Sequence, residues 1–500
     1  MSTCREKLKK QDLFYLFLLI AYFGFHLYVL RNHESFRDEA QAWMIAGNTT
    51  LKELFADLCI EGHPCLWFLA VRPFAKLGMS YRLFGYIGLF VMTGAVAILL
   101  YKAPFGKLLK LLVLFSSVFC YNSPVIPRIY CLITVIILLL AQLWPSRLEK
   151  PLFYGLLIGL LFQSHIILAG FAGGLTLELF LQWLKKENRQ PKIFAGICIP
   201  AVSAVCTFFE LRQRPDVPKF VNTTADSLLS SISFDKNKIM ESINDLERTV
   251  WGDGICELQI GPVTGKAVLL LILALLVAAL IIEATAGHQW KKFFSIVLVG
   301  ACGLGFSLAV RLFVYSGGYH MHVCYFLILL FLVWATYADG CSKALRGTAG
   351  VLLGAVFVLT CGVWPAAVRQ DLHGPYSGST ATAEFIEQTV PEGSKIIVRE
   401  NYLAPSVCAY LASDRKDLEI WSADTGEDYK IHVWGAVYSE LSGEEIAQMA
   451  RAQFPDAPAL YYLSPEKPTD NQSFELLYAM DTPNTLEENY WFYSIKDTEE

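Results

Sequence analysis

The chain has 500 residues, of which 54% are hydrophobic and only 17% are charged, and its mean hydropathy is +0.41. Soluble domains carry about 25% charged residues, so this composition excludes an ordinary soluble globular protein. The net charge of −5 argues against a nucleic-acid partner, because such partners select basic surfaces. The composition indicates a polytopic α-helical membrane protein.

The apolar residues fall into blocks of roughly 16 to 22 residues, the length that a helix needs to cross ~30 Å of hydrocarbon. The first block follows a basic N-terminus, is too long for a signal-peptide core, and precedes no small-x-small cleavage site. We interpret it as a retained anchor whose N-terminus is cytoplasmic. About 11 transmembrane helices are predicted, at 13–30, 83–101, 107–122, 129–144, 151–168, 169–184, 192–210, 266–284, 292–314, 321–338 and 345–364.

The positive-inside rule supports this topology. With the N-terminus inside, every short cytoplasmic turn is basic, whereas the short outside turns hold Arg128 and almost nothing else that is positive. An odd number of spans puts the C-terminus outside, so we predict a multi-pass protein of the plasma membrane with an extracytoplasmic tail. The basic turns contain Lys102 and Lys107; Arg147 and Lys150; Lys185, Lys186, Arg189 and Lys192; Lys291 and Lys292; and Lys343 and Arg346.

Two long outside loops are expected, 31–82 and 211–265. Within the first, the apolar segment 65–78 also contains an arginine and a lysine. As a helix it would be only ~21 Å long, so we interpret it as an amphipathic helix in the outer interface. The same loop holds Cys59 and Cys65, which could form a disulfide.

The chain changes character after residue 364, where the apolar blocks end. We therefore divide it into a transmembrane domain, 1–364, and a small extracytoplasmic α/β domain, 365–500. Helical and strand patterns alternate in this tail. Helices are predicted at 380–390 and 444–454, and strands at 395–400, 459–463, SFELLYAM and YWFYSI.

Asp38 and Glu39 lie a few residues after the first span. Acidic residues are common in the first turn of a helix, so the pair could simply begin a solvated interfacial helix. A carboxylate there could also act as a general base towards an acceptor hydroxyl or bind a divalent cation. The residue types alone leave these roles open.

Other polar residues collect at the outside ends of the spans, and each has a structural alternative. His63-Pro64 could mark a helix start, Arg128 with Tyr130 could be an interfacial anchor, and His165 could be a hydrogen-bonded core residue. Arginine also suits phosphate, because guanidinium presents forked donors. Candidate phosphate-binding residues are therefore Arg128 and Tyr130, with Arg82 and Arg311 as weaker candidates. Candidate substrate-binding residues are His63, His165 and His320. His320 and His322 are two residues apart and would not share a helix face, so a metal site formed by this pair is not expected.

Four stretches in this order resemble the GT-C superfamily of membrane glycosyltransferases, especially the family 39-like bacterial enzymes related to protein O-mannosyltransferases and aminoarabinose transferases. RDEAQAWMIA is similar to the acidic first-loop motif, EGHPCLWFLA to the segment after it, NSPVIPRIYCL to the Arg-x-Tyr stretch and LLFQSHIILAG to a later histidine segment. The tail ATAEFIEQTVPEGSKIIV looks like their extracytoplasmic ending. The resemblance departs at Ile126 and Cys65, where an acidic residue and a proline are usual.

The resemblance implies a GT-C-like fold and an inverting transferase. A hexose or pentose would pass from a polyprenyl-phosphate donor to a hydroxyl of a glycan, lipid or protein acceptor on the outer face. Asp38, supported by Glu39, would be the base or metal ligand, and Arg128 and Tyr130 would bind the donor phosphate. A transporter or lipid flippase of envelope biogenesis is the alternative function, and a non-catalytic scaffold is another.

Overall fold

The computed structural model describes most of the chain. The described residues are 2–56, 61, 63–212, 281, 290–313, 322–338, 343, 346–347, 349–351, 354, 364–433, 436, 438–467 and 472–496; of these, the side chains of 2–9, 290–293, 308 and 311–313 are not described. Most of the predicted spans 266–284 and 345–364 and most of the loop 211–265 therefore lie outside the described residues.

The described part of the membrane domain is helical. Its α-helices are α1 Ser2–Leu30, α2 Arg37–Asn48, α3 Leu51–Ala56, α4 Leu66–Lys76, α5 Phe84–Lys102, α6 Lys107–Leu114, α7 Tyr130–Leu143, α8 Pro151–Phe162, α9 Ala169–Trp183, α10 Pro191–Leu211, α11 Trp290–Phe313 and α12 His322–Ala338. Short 3₁₀ turns precede α5 and α9, and a π-helical turn occupies Val118–Asn122.

Among the described residues, four helices are long and apolar enough to cross a membrane: Lys10–Leu30, Tyr81–Lys102, Ile166–Trp183 and Pro191–Leu211. Four further apolar helices are shorter. A membrane protein is thus supported, whereas the number of eleven spans stays a prediction.

Two predicted spans are interrupted. The block 107–122 forms an eight-residue helix, α6, which is only about 12 Å long, and a π-helical turn follows Ser116 and Ser117. The block 151–168 ends its α-helix at Phe162, where three consecutive polar residues follow. In both places polar side chains bond backbone carbonyls, and these local bonds compete with the helical ladder; one example is Ser164 Oγ, 2.7 Å from Leu161 O.

Helices α8 and α10 pack very closely. A Cβ atom added to Gly155 would lie 2.0 Å from the carbonyl oxygen of Gly196, so only glycine allows this approach of the two backbones. Gly159, one turn along α8, faces Ser203 of α10. Small residues spaced four apart are typical of such membrane helix contacts. The crossing holds together the helix ends that carry Gln163 and Glu210.

The predicted interfacial segment 65–78 forms a helix, α4, which ends at Lys76. Gly78, two residues later, has φ +80°, as is common for a left-handed residue after a helix. Arg72 of α4 donates hydrogen bonds to the Ala46 and Thr49 carbonyl oxygens at 3.2 and 2.8 Å. Because helix ends leave carbonyls without partners, this arginine fastens α4 to the end of α2.

The C-terminal domain is an α/β unit with a six-stranded sheet in the order β3-β2-β1-β4-β6-β5. Central β1 is parallel to β2 and to β4, and the other pairs are antiparallel. Its helices are α13 Trp364–His373, α14 Ser379–Thr389, α15 Ala404–Asp414 and α16 Gly443–Gln453; its strands are β1 Lys395–Val398, β2 Glu419–Ser422, β3 Glu427–Asp428, β4 Leu460–Ser464, β5 Phe474–Met480 and β6 Tyr490–Ile495.

The helices and strands predicted for the tail are confirmed as α14, α16, β1, β4, β5 and β6. Helix α15 and strand β2 were not predicted. Helix α15 is buried along most of its length, so it lacks the polar face that reveals an amphipathic helix. Strand β2 contains only two apolar residues, Ile420 and Trp421, so it shows neither the apolar run that predicted β1 nor a clear alternation.

Candidate functional site

Helix α2 presents the acidic pair at the junction of the two domains. The N-cap residue of α2, Phe36, has no side chain that can accept a hydrogen bond from the first backbone N–H groups of the helix. The backbone N–H of Arg37 instead faces Glu488 Oε1 of the C-terminal domain at 3.4 Å, and a carboxylate suits the positive end of a helix. Further along α2, the Gln41 side chain donates to the backbone oxygen of His432 at 2.6 Å and accepts from its N–H at 3.0 Å. The C-terminal domain thus fixes the position of α2.

Asp38 and Arg128 form an ion pair. Asp38 Oδ2 lies 3.1 Å from Arg128 Nη1, and the two side chains are 30% and 16% exposed. The Arg128 guanidinium also lies 5.9 Å from the centre of the Tyr130 ring. Both charges remain accessible to a ligand, which distinguishes this pair from the buried pairs elsewhere in the chain.

Two histidines adjoin this ion pair. The rings of His63 and His165 are 4.9 Å apart, and Tyr130 stacks on His165 at 6.1 Å. Burial, reinforced by the charge of Arg128 and opposed by that of Asp38, lowers the pKa of His63 to about 4. His63 is therefore neutral at pH 7 and adds no positive charge beside Arg128. His165 Nδ1 accepts from Ile167 N–H at 3.2 Å, so this histidine also caps a turn.

Glu39 has a different environment from its neighbour, because successive side chains of a helix diverge by about 100°. Its side chain is fully buried, and its Oε1 lies 3.6 Å from His33 Nε2. His33 Nδ1 lies 3.1 Å from Asp371 Oδ2, to which Tyr121 also donates at 2.9 Å. A catalytic role for Glu39 is therefore not supported. Glu39 holds the first turn of α2 against His33, and of the two carboxylates only that of Asp38 is open to a substrate.

The His33 cluster, which consists of His33, Glu39, Asp371 and Tyr121, carries charge in its interior. Burial disfavours the imidazolium, but the hydrogen bonds to Asp371 and Glu39 and their charges outweigh it and raise the pKa of His33 to about 10. Burial raises the pKa of Glu39, which the hydrogen bond and charge of His33 partly offset. A protonated His33 thus links the loop between α1 and α2 to Asp371 on α13.

Arg82 does not join this site. Its guanidinium contacts three carboxylates of the C-terminal domain, at 3.2, 3.0 and 3.2 Å, and lies over the Tyr410 ring. The interpretation of Arg82 as a phosphate ligand is therefore not supported, because a phosphate would have to displace these acidic groups. They are Glu384, Glu387 and Asp414.

Three further predictions concern the ends of α11 and α12. Arg311 lies on α11, but its side chain is among those that are not described, and His320 lies outside the described residues. His322 begins α12 and is buried. The roles proposed for Arg311 and His320 remain predictions from the sequence.

A divalent cation held by Asp38 and Glu39 stays a prediction from the sequence. Asp38 forms an ion pair with Arg128, whereas Glu39 is buried beside His33. Within the described part of the chain, no three His, Cys, Asp or Glu side chains are grouped so that they could hold a metal ion.

A polar group that the sequence analysis missed lies beside the histidines. Cys65 Sγ is 3.1 Å from Gln163 Oε1 and 3.7 Å from Glu210 Oε1. Cys65 is a free thiol, and Cys59, the partner that the sequence would allow for a disulfide, lies outside the described residues. Glu210 was detectable as a lone carboxylate at the end of an apolar block, where ionisable groups tend to mark function.

Comparison with family models, with curated proteins and with solved structures finds no match to this chain. Its functional interpretation therefore depends on the residues described above and on the motifs of the sequence.

Proposed function

We propose that the protein is a membrane glycosyltransferase, which moves a sugar from a polyprenyl-phosphate donor to an acceptor hydroxyl at the outer face of the membrane. The observation that carries this proposal is the accessible ion pair between Asp38 and Arg128, 3.1 Å apart. A carboxylate beside a guanidinium offers the two groups that such a transfer needs, a proton acceptor and a phosphate ligand.

The ion pair suggests how the donor would prepare the site. Arg128 neutralises Asp38 in the structure, and a donor phosphate would compete for the same guanidinium. Once Arg128 binds the phosphate, its forked donors match two phosphate oxygens. Asp38 is then released from Arg128 and is free to accept the proton of the acceptor hydroxyl, with Arg37 Nε 3.9 Å from its Oδ1 atom.

In the transfer itself, the acceptor oxygen attacks the anomeric carbon from the face opposite the phosphate, and Asp38 takes the hydroxyl proton. The bond between the anomeric carbon and the phosphate oxygen breaks, and polyprenyl phosphate leaves with the electron pair. Positive charge develops on the sugar ring, and negative charge on the leaving phosphate is stabilised by Arg128. Neutral His63 lines the site and adds no charge beside the phosphate, and Tyr130 lies next to Arg128.

The test is sugar transfer by the full chain in lipid nanodiscs, with a panel of polyprenyl-phosphate sugars and with glycan, lipid and peptide acceptors. Asp38→Asn should lower the rate by about 10²–10⁴-fold, the usual contribution of a general base. Asp456→Asn is the matched control, because Asp456 is exposed on the C-terminal domain, and it should leave the rate unchanged.

Two results would contradict the proposal. Wild-type transfer that persists in Asp38→Asn would remove the base from the mechanism. Translocation of the lipid across the membrane without transfer of its sugar would favour a flippase.

A further inference from the structure

A second polar cluster extends the candidate site towards the crossing of α8 and α10. We call it the Glu210 cluster; its members are Cys65, Gln163, Thr207 and Glu210. Gln163 Nε2 donates to Thr207 Oγ1 at 2.9 Å, and Gln163 Oε1 lies 3.1 Å from the Cys65 thiol. Both the nitrogen and the oxygen of the Gln163 amide therefore have hydrogen-bond partners, and the amide fixes the position of Cys65.

The Glu210 cluster is joined to the histidine pair by two short segments of chain. Cys65 is two residues from His63, and Gln163 is two residues from His165, so each pair lies within about 7 Å along the backbone. A backbone hydrogen bond of 3.1 Å from Leu66 N–H to Gln163 O fastens the two segments together. A ligand that contacts His63 and His165 is therefore within reach of Glu210.

Glu210 is an unusual carboxylate for this bundle. It is only 6% exposed in the last turn of α10. Its carboxylate accepts hydrogen bonds from Cys65 and Gln163, but no hydrogen-bond partner among the described residues is found for its Oε2 atom. By contrast, the buried Glu178 of α9 accepts two hydrogen bonds from Arg147, at 3.0 and 2.8 Å. Buried polar atoms are normally satisfied, so the free oxygen of Glu210 points to a donor that a ligand supplies.

We propose that Glu210 binds hydroxyl groups of the sugar on the lipid-linked donor, with Cys65 and Gln163 as positioning residues. Cys65 lies near Glu210 Oε1 and leaves Oε2 to the sugar. A carboxylate accepts strong, charge-assisted bonds from hydroxyl groups. In the topology predicted from the sequence, the end of α10 that carries Glu210 faces the outer leaflet, where the sugar of the donor would lie. This inference rests on the proposed function.

The test compares two lipids that differ only in the sugar: polyprenyl phosphate and its glucosyl derivative, bound by the full chain in nanodiscs. The wild type should bind the sugar-bearing lipid more tightly. Glu210→Gln should weaken that binding about tenfold, equivalent to 1.4 kcal/mol, and should leave binding of sugar-free polyprenyl phosphate unchanged. Cys206→Ala, a change at an exposed thiol on the same helix, should alter neither.

Cys65→Ala provides a second variant that leaves the carboxylate in place, and it should give a smaller loss that is again confined to the sugar-bearing lipid. Equal weakening of both lipids, or no weakening in either variant, would overturn the sugar site while the phosphate site stands. A wild type that binds neither lipid would overturn the proposed function as well.

Discussion

Replacement of His33 by glutamine should destabilise the protein in a way that depends on pH. His33 is 2% exposed and lies between Glu39 and Asp371, both fully buried. Its pKa is raised from 6.5 to about 10, and each pKa unit corresponds to about 1.4 kcal/mol. The protonated side chain therefore stabilises the folded state by on the order of 4 kcal/mol at pH 7. Loss of one partner from a buried ion pair, typically ~3–5 kcal/mol, has the same magnitude.

The sign of the pH dependence follows from the raised pKa. The stabilisation is complete below pH 6.5, where the histidine of the unfolded chain is also protonated, and it is lost as the pH rises towards 10. The wild type should unfold several degrees above His33→Gln at pH 6.5, and this difference should shrink steadily up to pH 10.

The assay is the midpoint of thermal unfolding in nanodiscs at pH 6.5, 7.5, 8.5 and 9.5, compared between the two proteins at each pH. His373→Gln is the matched control, because His373 is exposed on the same helix as Asp371, and its midpoints should follow those of the wild type. A difference between wild type and His33→Gln that stays constant across the range would refute the charged histidine.

Three further outcomes are expected. Gly155→Ala should lower the midpoint of thermal unfolding or the yield of folded protein, because its Cβ would meet the Gly196 backbone, whereas Gly94→Ala should be tolerated since no atom lies within 4 Å. Arg82→Ala should speed protease cleavage between the domains, because three carboxylates lose their shared partner. The rate of sugar transfer should show no His63 titration between pH 5 and 8, because the pKa of His63 is about 4; a limb near pH 6.5 that is lost in His63→Gln would contradict this.

The apolar blocks predicted the long helices well, because a helix that crosses hydrocarbon must be apolar over about 20 residues. Helices α1, α5 and α10 follow directly from this requirement. The interruption after α6, at Ser116 and Ser117, could not be predicted, because serine residues also occur within regular helices. Their effect depends on local hydrogen bonds such as that from Ser116 Oγ to Val113 O, at 2.7 Å.

The candidate site was predictable in part. Residue types and their place at the outside ends of spans were enough to select Asp38 and Arg128, which the structure brings to 3.1 Å. The division between Asp38 and Glu39 was not predictable, because it depends on His33 and on Asp371, 338 residues further along the chain than His33. The ion pairs of Arg82 were not predictable for the same reason, since its partners come from the distant tail.

The bond between His33 and Asp371 has a consequence for biogenesis. A ribosome makes the loop between α1 and α2 long before residue 371, so the nascent chain holds His33, Glu39 and Tyr121 without Asp371 while the intervening helices are made. The loop between α1 and α2 can reach its final form only when the C-terminal domain has docked against it. Truncated chains that stop before α13 should therefore leave this loop more open to proteases than the full chain does.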